Sequence, residues 1–308
     1  PRLASEKLLE EEGVSVHPET LRLWLKSANL WQPHRKRKQH RLRRERRSRY
    51  GALLQLDGSI HAWFGNNAEK QCLMNMVDDA TGRTLALLDK GETTRAAFAL
   101  LRWWIKEAGI PLSIYVDLKS LRTDEDNELV EPEWLTHFSR ACKKLGIEVI
   151  KAYSPQAKGR VERNHAVYQD RLVKELRLKK ILTIEGANEL LSNGFINNLN
   201  DKFAKPAQDP QDAHVPLLAE DDLDQIFCWE YERQIKNDWT VQFKGQHYQI
   251  EKTTPRKVSA KQRIMIREHM DNGISLWSGQ ARLAFHKIDK RNVEEKAKPK
   301  SKEELFEN

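Results

Sequence analysis

Within ETLRLWLKSANLW, residues 19–31, the apolar positions Leu21, Trp24, Leu25 and Ala28 recur at helical spacing and predict a short helix with one buried stripe. The helix starts near His17-Pro18, since proline suits a first helical position, and follows a shorter helix over 5–12 that Gly13 closes. From Gly51 the pattern changes to apolar runs of strand length. LLQLD (53–57), CLMNMVD (72–78) and RTLALLD (83–89) predict three strands, with DDATG (78–82) as the turn between the last two. Helical text over 93–109 places Phe98, Leu101 and Ile105 on one face and ends at Gly109 and Pro111. LSIYVD (112–117) and IEVIKAY (147–153) read as strands, and 133–145, 158–178 and 183–199 as helices. The order β-β-β-α-β-α-β-α-α predicts an α/β fold, a mixed sheet with flanking helices. After a Pro- and Asp-rich stretch that reads as a linker, six short strand-like segments up to Ile288 predict a small β-barrel. The charged, unpatterned tail beyond it reads as disordered.

Composition narrows the partners. Of 308 residues 32% are charged, and 53 Lys and Arg against 45 Asp and Glu leave a formal charge of +8. The excess is local. Residues 35–49 (RKRKQHRLRRERRSR) carry ten Lys and Arg against one Glu, which exceeds the excess of the whole chain. A protein-wide cationic coat is thus excluded, and a single basic tether needs explaining. Two helices around a glycine turn fit an ordinary helical hairpin as well as a helix-turn-helix; the basic run directly after them favours the DNA-binding reading. Its second helix would offer Thr20, Arg22 and Lys26, and the tether Arg35, Lys36, Arg37, Lys38, Arg41, Arg43 and Arg44, to DNA.

No apolar run approaches the roughly 18 residues of a membrane span, and no secretory segment opens the chain. Three cysteines, far apart and without CxxC, fit reduced thiols in the bacterial cytoplasm or nucleoid. The chain opens with Pro1 rather than Met and reads as a truncated or processed fragment.

Three acids stand at informative places. Asp57 and Asp117 close strands that can be neighbours, and Glu162 lies in the first turns of the helix after the fifth strand. In that helix Val161, His165, Tyr168, Leu172 and Leu176 form the expected buried stripe, and Glu162 borders it. Converging carboxylates repel one another unless a cation intervenes. Mg²⁺ takes oxygen ligands, and paired ions about 3.5–4 Å apart support in-line phosphoryl displacement. Singly, each acid also fits a turn, a cap or a solvated helix face, as Asp78, Asp79 and Asp89 are read; the order of the three carries the inference.

LDGS (56–59), VDDATGR (77–83), YVD (115–117) and SPQAKGRVERNH (154–165) resemble the integrase-like DDE transposases of bacterial insertion sequences, in particular the ISNCY group of the retroviral integrase superfamily. The likeness runs from about Glu11 to Ile288 and is densest over 51–178. It implies a ribonuclease H-like mixed five-stranded core, an Asp57, Asp117 and Glu162 triad, and two Mg²⁺ ions, with Mn²⁺ as a substitute. It also implies cleavage that frees a 3′-hydroxyl, then joining to target DNA, with Lys158, Arg160, Arg163 and Asn164 touching DNA. Double-stranded DNA, as transposon ends and target, is the implied partner, with a homodimer or higher assembly and no membrane. The implied modules are a helix-turn-helix domain (1–31), a basic linker (32–50), the catalytic domain (51–203), a linker (204–228), the barrel (229–288) and the tail (289–308). Two features depart from the pattern: Leu118-Lys119-Ser120 follow the second acid, and the acidic text of 123–133 lengthens the Asp117–Glu162 interval.

Arg171, Lys174 and Arg177 continue a basic helix face that suits phosphate contact or plain solvation. Arg256, Lys257, Lys261, Arg263 and Arg267 mix with barrel aromatics, which suits DNA binding or a dimer scaffold. Trp63 reads as a core residue rather than a base wedge. A non-catalytic, sequence-specific DNA-binding regulator derived from a transposase, and a nuclease that cuts without joining, are the competing readings. The persistence of all three acids weighs against the first, and the extra modules against the second.

Overall fold

The computed structural model describes residues 1–32, 45–65, 68–117, 122–123, 129–130, 133–152, 159–252 and 258–288; at 117, 122–123, 129–130, 133–134 and 152 it describes the backbone only. The basic stretch 33–44, Lys158, Arg256, Lys257 and the tail from 289 lie outside these residues.

Two helices, α1 (Arg2–Glu12) and α2 (Pro18–Ser27), open the chain. Gly13 closes α1 in the left-handed region, φ 67°, and the His17 ring caps α2 by accepting the N–H of Glu19. Only Leu21 of the expected stripe is buried; Trp24 is 56% exposed. A pair of short helices has too little facing surface to cover a whole stripe.

Strands β1 (Leu54–His61), β2 (Gln71–Asp78), β3 (Thr84–Asp89), β4 (Ser113–Asp117) and β7 (Glu148–Ala152) form one sheet in the order β3-β2-β1-β4-β7. The first three are antiparallel, and β4 and β7 run parallel to β1. A two-residue ladder, β5 (Arg122–Thr123) with β6 (Leu129–Val130), lies in the acidic insert. This mixed five-stranded sheet resembles the ribonuclease H-like core expected above.

Helix α3 (Thr94–Ala108) starts where the Thr93 hydroxyl accepts the N–H of Ala96, and stops at Gly109. It packs on α4 (Glu133–Lys144), β2 and β3, while α5 (Val161–Leu178) lies across β1 and β2. One core joins these layers, including Leu56, Trp63, Met76, Phe98, Trp104, Phe138 and Leu172. Trp63 is fully buried, and its indole N–H faces the carbonyls of Ser59 and Gln71, in keeping with the core reading.

Three expectations change. The first strand does not end at Asp57 but continues to His61, because β2 pairs with it along its whole length. The single helix expected over 183–199 is α6 (Ile184–Leu190), a π-helical turn (Leu191–Phe195) and α7 (Ile196–Phe203), broken where Gly194 adopts φ 99°. The segment after Ala204, expected as a plain linker, is strapped to the core. Lys205, Asp209 and Ala213 donate backbone hydrogen bonds to Thr81, Ser48 and Tyr50, and Val215 exchanges a pair with Ile110. His214 accepts the indole N–H of Trp104 at 2.9 Å and lies edge-on to Tyr50.

Beyond the short helix α8 (Leu223–Ile226), the described residues form seven strands where six were expected: β8 (Cys228–Gln234), β9 (Thr240–Phe243), β10 (Gln246–Ile250), β11 (Arg263–His269), β12 (Ile274–Ser278), β13 (Ala281–Leu283) and β14 (Phe285–Ile288). They form sheets ordered β13-β12-β11-β8 and β14-β10-β9, which share one core through Val241, Phe243, Ile266 and Leu276. This unit docks on α3 and α4: the Phe98 ring meets Phe227 and Trp229, and Glu230 accepts from Lys144 at 2.7 Å and from Arg267 at 2.9 Å. Arg267 is thus engaged within the protein, whereas Arg263, paired with Glu232, stays on the surface. Among the described residues no helix is long and apolar enough to cross a membrane.

Candidate active site

Strands β1 and β4 stay in parallel register as far as Leu56 and Val116. The next residue on each is an aspartate, so Asp57 and Asp117 stand one step beyond the last paired residues of two adjacent parallel strands. Asp57 lies opposite Asn75 on β2.

The third acid arrives on α5. Its buried stripe is Val161, His165, Tyr168, Leu172 and Leu176, the set expected from spacing. His165 Nδ1 stands 4.0 Å from Asp57 Oδ2, which brings the first turn of α5 to the aspartate. Glu162, exposed, precedes His165 by three residues and is its neighbour along the helix surface. Among the described residues no three His, Cys, Asp or Glu side chains converge on one metal-sized point, and the side chain of Asp117 is outside that set.

Glu162 is bracketed by two buried polar clasps. Two residues before it, Arg160 Nη1 meets Asp79 Oδ1 at 2.9 Å, with Asp79 fully buried. Gln55, two residues before Asp57, donates to the same Asp79 oxygen at 2.8 Å and accepts the backbone N–H of Val161 at 3.3 Å. The other Asp79 oxygen accepts the backbone N–H of Arg47 at 2.8 Å, so the basic stretch joins the core at this carboxylate. Two residues after Glu162, Asn164 Oδ1 accepts from Asn75 at 2.8 Å and from the Thr84 hydroxyl at 3.2 Å.

These contacts revise the expected DNA contacts. Arg160 and Asn164 turn inward, because the start of α5 lies over two buried polar groups, Asp79 and Asn75, that need partners. Arg163 remains exposed, with Nε donating to the carbonyl of Gly159 at 2.7 Å. Arg171, expected on a phosphate-facing surface, holds Glu6 of α1 through two bonds of 2.7 and 3.0 Å and lies over the Phe203 ring. On α2, Thr20 and Lys26 are exposed and Arg22 forks onto Glu19. Asp78 serves its turn as expected, accepting from Thr81 and Gly51, and burial raises its pKa. Asp79, read as a turn residue, is a junction instead.

Sequence reasoning missed Glu92. A Cβ on Gly58 would stand 2.4 Å from Glu92 Oε1 and 2.8 Å from Cys72 Sγ, so this carboxylate lies against the backbone of β1 on the face opposite the Asp57 side chain. Burial, with the charges of Glu92, Asp57 and Asp89, pushes the Cys72 thiol up to about 12. Only the glycine after Asp57 hints at such a close approach. A cleft of about 1030 Å³ lies elsewhere, between α5 and the first two helices, lined by Arg2, His17, Trp31, Arg171 and Phe203 among others.

No protein-family model matches the chain. It is 34% identical over 293 residues to the candidate transposase y4bF of Sinorhizobium fredii, covering 94% of this chain and 64% of that protein. It is 32% identical over 279 residues to the transposase for insertion sequence IS1202 of Streptococcus pneumoniae, covering 79% of this chain and 59% of that protein. The chain therefore spans less than two thirds of either relative. Solved structures similar to it include the HTLV-2 integrase catalytic core in complex with magnesium (TM-score 0.37, 21% identity, 47% of this chain and 85% of that one). A simian T-cell lymphotropic virus intasome chain matches more of the length (TM-score 0.42, 16% identity, 92% of this chain and 99% of that one). Matched over most of its residues to two transposase sequences, one of them the transposase of an insertion sequence, the chain is similar to bacterial transposases.

Proposed function

We propose that the chain binds the ends of a mobile DNA element, cleaves a phosphodiester to free a 3′-hydroxyl and joins that end to target DNA. The observation that carries this reading is that Asp57 and Asp117 follow directly on the paired residues of adjacent parallel strands, with His165 of α5 4.0 Å from Asp57.

The donor set suits two Mg²⁺ ions, or Mn²⁺. Asp57 is partly exposed and Glu162 exposed, all three acids offer hard oxygen ligands, and like charges on neighbouring strands call for a cation. Asp57, Asp117 and Glu162 would hold the ions. When bound, these supply Lewis-acid stabilisation of the attacking and leaving oxygens of an in-line displacement. His165 limits the freedom of the Asp57 carboxylate from one side. The basic stretch 35–44 supplies phosphate contacts that bring DNA to the site, and α2, with Thr20, Arg22 and Lys26, is the element placed to read it. Two DNA ends must be processed together, which makes a second copy of the chain the expected partner.

The test incubates purified protein and Mg²⁺ with DNA bearing the element's own ends. Nicked and joined products are expected, and Asp57→Asn, Asp117→Asn or Glu162→Gln should each abolish cleavage while end binding persists. Binding without any cleavage by the unaltered protein would favour a DNA-binding regulator; nicking without joining would favour a nuclease.

A further inference from the structure

The first turn of α5 is fastened to the sheet by groups that are buried and polar, where apolar contacts would suffice to pack a helix. Asp79 has no exposed surface, yet it carries the Arg160 guanidinium and the Gln55 amide on one oxygen and the Arg47 N–H on the other. A buried ion pair adds little net stability over an apolar pair of similar volume, but it is directional and fixes the distance and orientation of what it joins. The elements joined here are the strand of Asp57 and the turn of Glu162. Gln55 makes the link explicit, with one end on Asp79 and the other on the amide of Val161. The second clasp repeats the arrangement: Asn75, directly across the ladder from Asp57, holds Asn164.

We propose that Arg160–Asp79–Gln55 and Asn164–Asn75 are positioning clasps that set Glu162 against Asp57 for a shared divalent cation. The proposal rests on the reading of these acids as metal ligands and assigns Arg160 and Asn164 a role other than DNA contact. Groups that orient metal ligands typically account for about 10- to 100-fold in affinity or activity.

The decisive variant is the double substitution Asp79→Leu with Arg160→Met, which removes both charges together and leaves neither buried alone. Its affinity for end DNA should stay near that of the unaltered protein, and its unfolding midpoint should fall only modestly, since the Gln55 amide and the Arg47 N–H lose their acceptor. Single-turnover cleavage should fall about 10- to 100-fold, and the half-saturating Mg²⁺ concentration should rise by a similar factor. In metal-free protein the Val161 amide should exchange hydrogen at least about tenfold faster, since Gln55 loses its anchor. Arg160→Lys, which keeps the charge, should recover part of the cleavage rate. Asn164→Ala, at a half-buried position, gives a second reading of the same three quantities should the double variant not fold. Either variant, folded and with an unaltered cleavage rate, Mg²⁺ profile and Val161 exchange, overturns the proposal. If the unaltered protein cuts no DNA with Mg²⁺ or Mn²⁺, it is the catalytic reading that fails; Val161 exchange still reports separately whether the clasps hold the turn.

Discussion

The imidazole of His165 faces the carboxylate of Asp57, Nδ1 to Oδ2, at 4.0 Å. The two residues stand 108 positions apart in the chain, and their approach brings α5 beside Asp57. His165→Leu keeps the volume and apolar packing of the stripe while removing the polar face towards Asp57. Cleavage should fall about 10- to 100-fold with end binding retained. Single-turnover kinetics beside a filter-binding isotherm check this, and a rate within twofold of the unaltered protein would make His165 a packing residue only.

Replacing Arg35, Lys36, Arg37, Lys38, Arg41, Arg43 and Arg44 with alanine should weaken DNA binding and flatten its dependence on salt. Each lost phosphate contact lowers the slope of log K against log salt by about 0.9 on duplex DNA. Arg46 is left intact, because its Nη1 donates to the carbonyl of Ala80. An unchanged slope would exclude the stretch from the DNA path.

The Arg171 guanidinium, with help from Lys202, lowers the Glu6 carboxyl from 4.5 to about 2. A depressed acid stabilises the docked state above its unfolded pKa and loses that contribution as pH falls through the folded value. The α1–α5 contact should therefore hold at neutral pH and loosen between about pH 4.5 and 2. Amide exchange in α1 followed by pH shows the step; Glu6→Gln should lack it and show faster exchange already at pH 7.

Gly51 adopts φ 79°, and a Cβ there would meet the His214 ring at 2.4 Å. Gly51→Ala should displace the strap from Tyr50 and Trp104 and cost about 1–3 kcal/mol from backbone strain alone. Urea unfolding measures the loss. A midpoint equal to that of the unaltered protein would mean that the strap does not depend on the His214 contact.

What the sequence alone determined is local. The stripe Val161, His165, Tyr168, Leu172, Leu176 was legible because helical periodicity sets which side chains share a face. The strands were legible because apolar runs and turn residues mark them, and the order of Asp57, Asp117 and Glu162 because primary structure preserves order. What only the tertiary structure decided is pairing. Arg160 and Asn164 have the composition of phosphate contacts, and nothing within several residues of either one reveals Asp79 or Asn75, 81 and 89 positions away. The register of β1 on β4 brought the two aspartates to adjacent strands, and the Glu92 carboxylate came to Gly58 on the sheet face away from α5. A buried polar group takes whichever partner the fold brings within reach, so its role is settled by long-range packing and not by its neighbours in the chain.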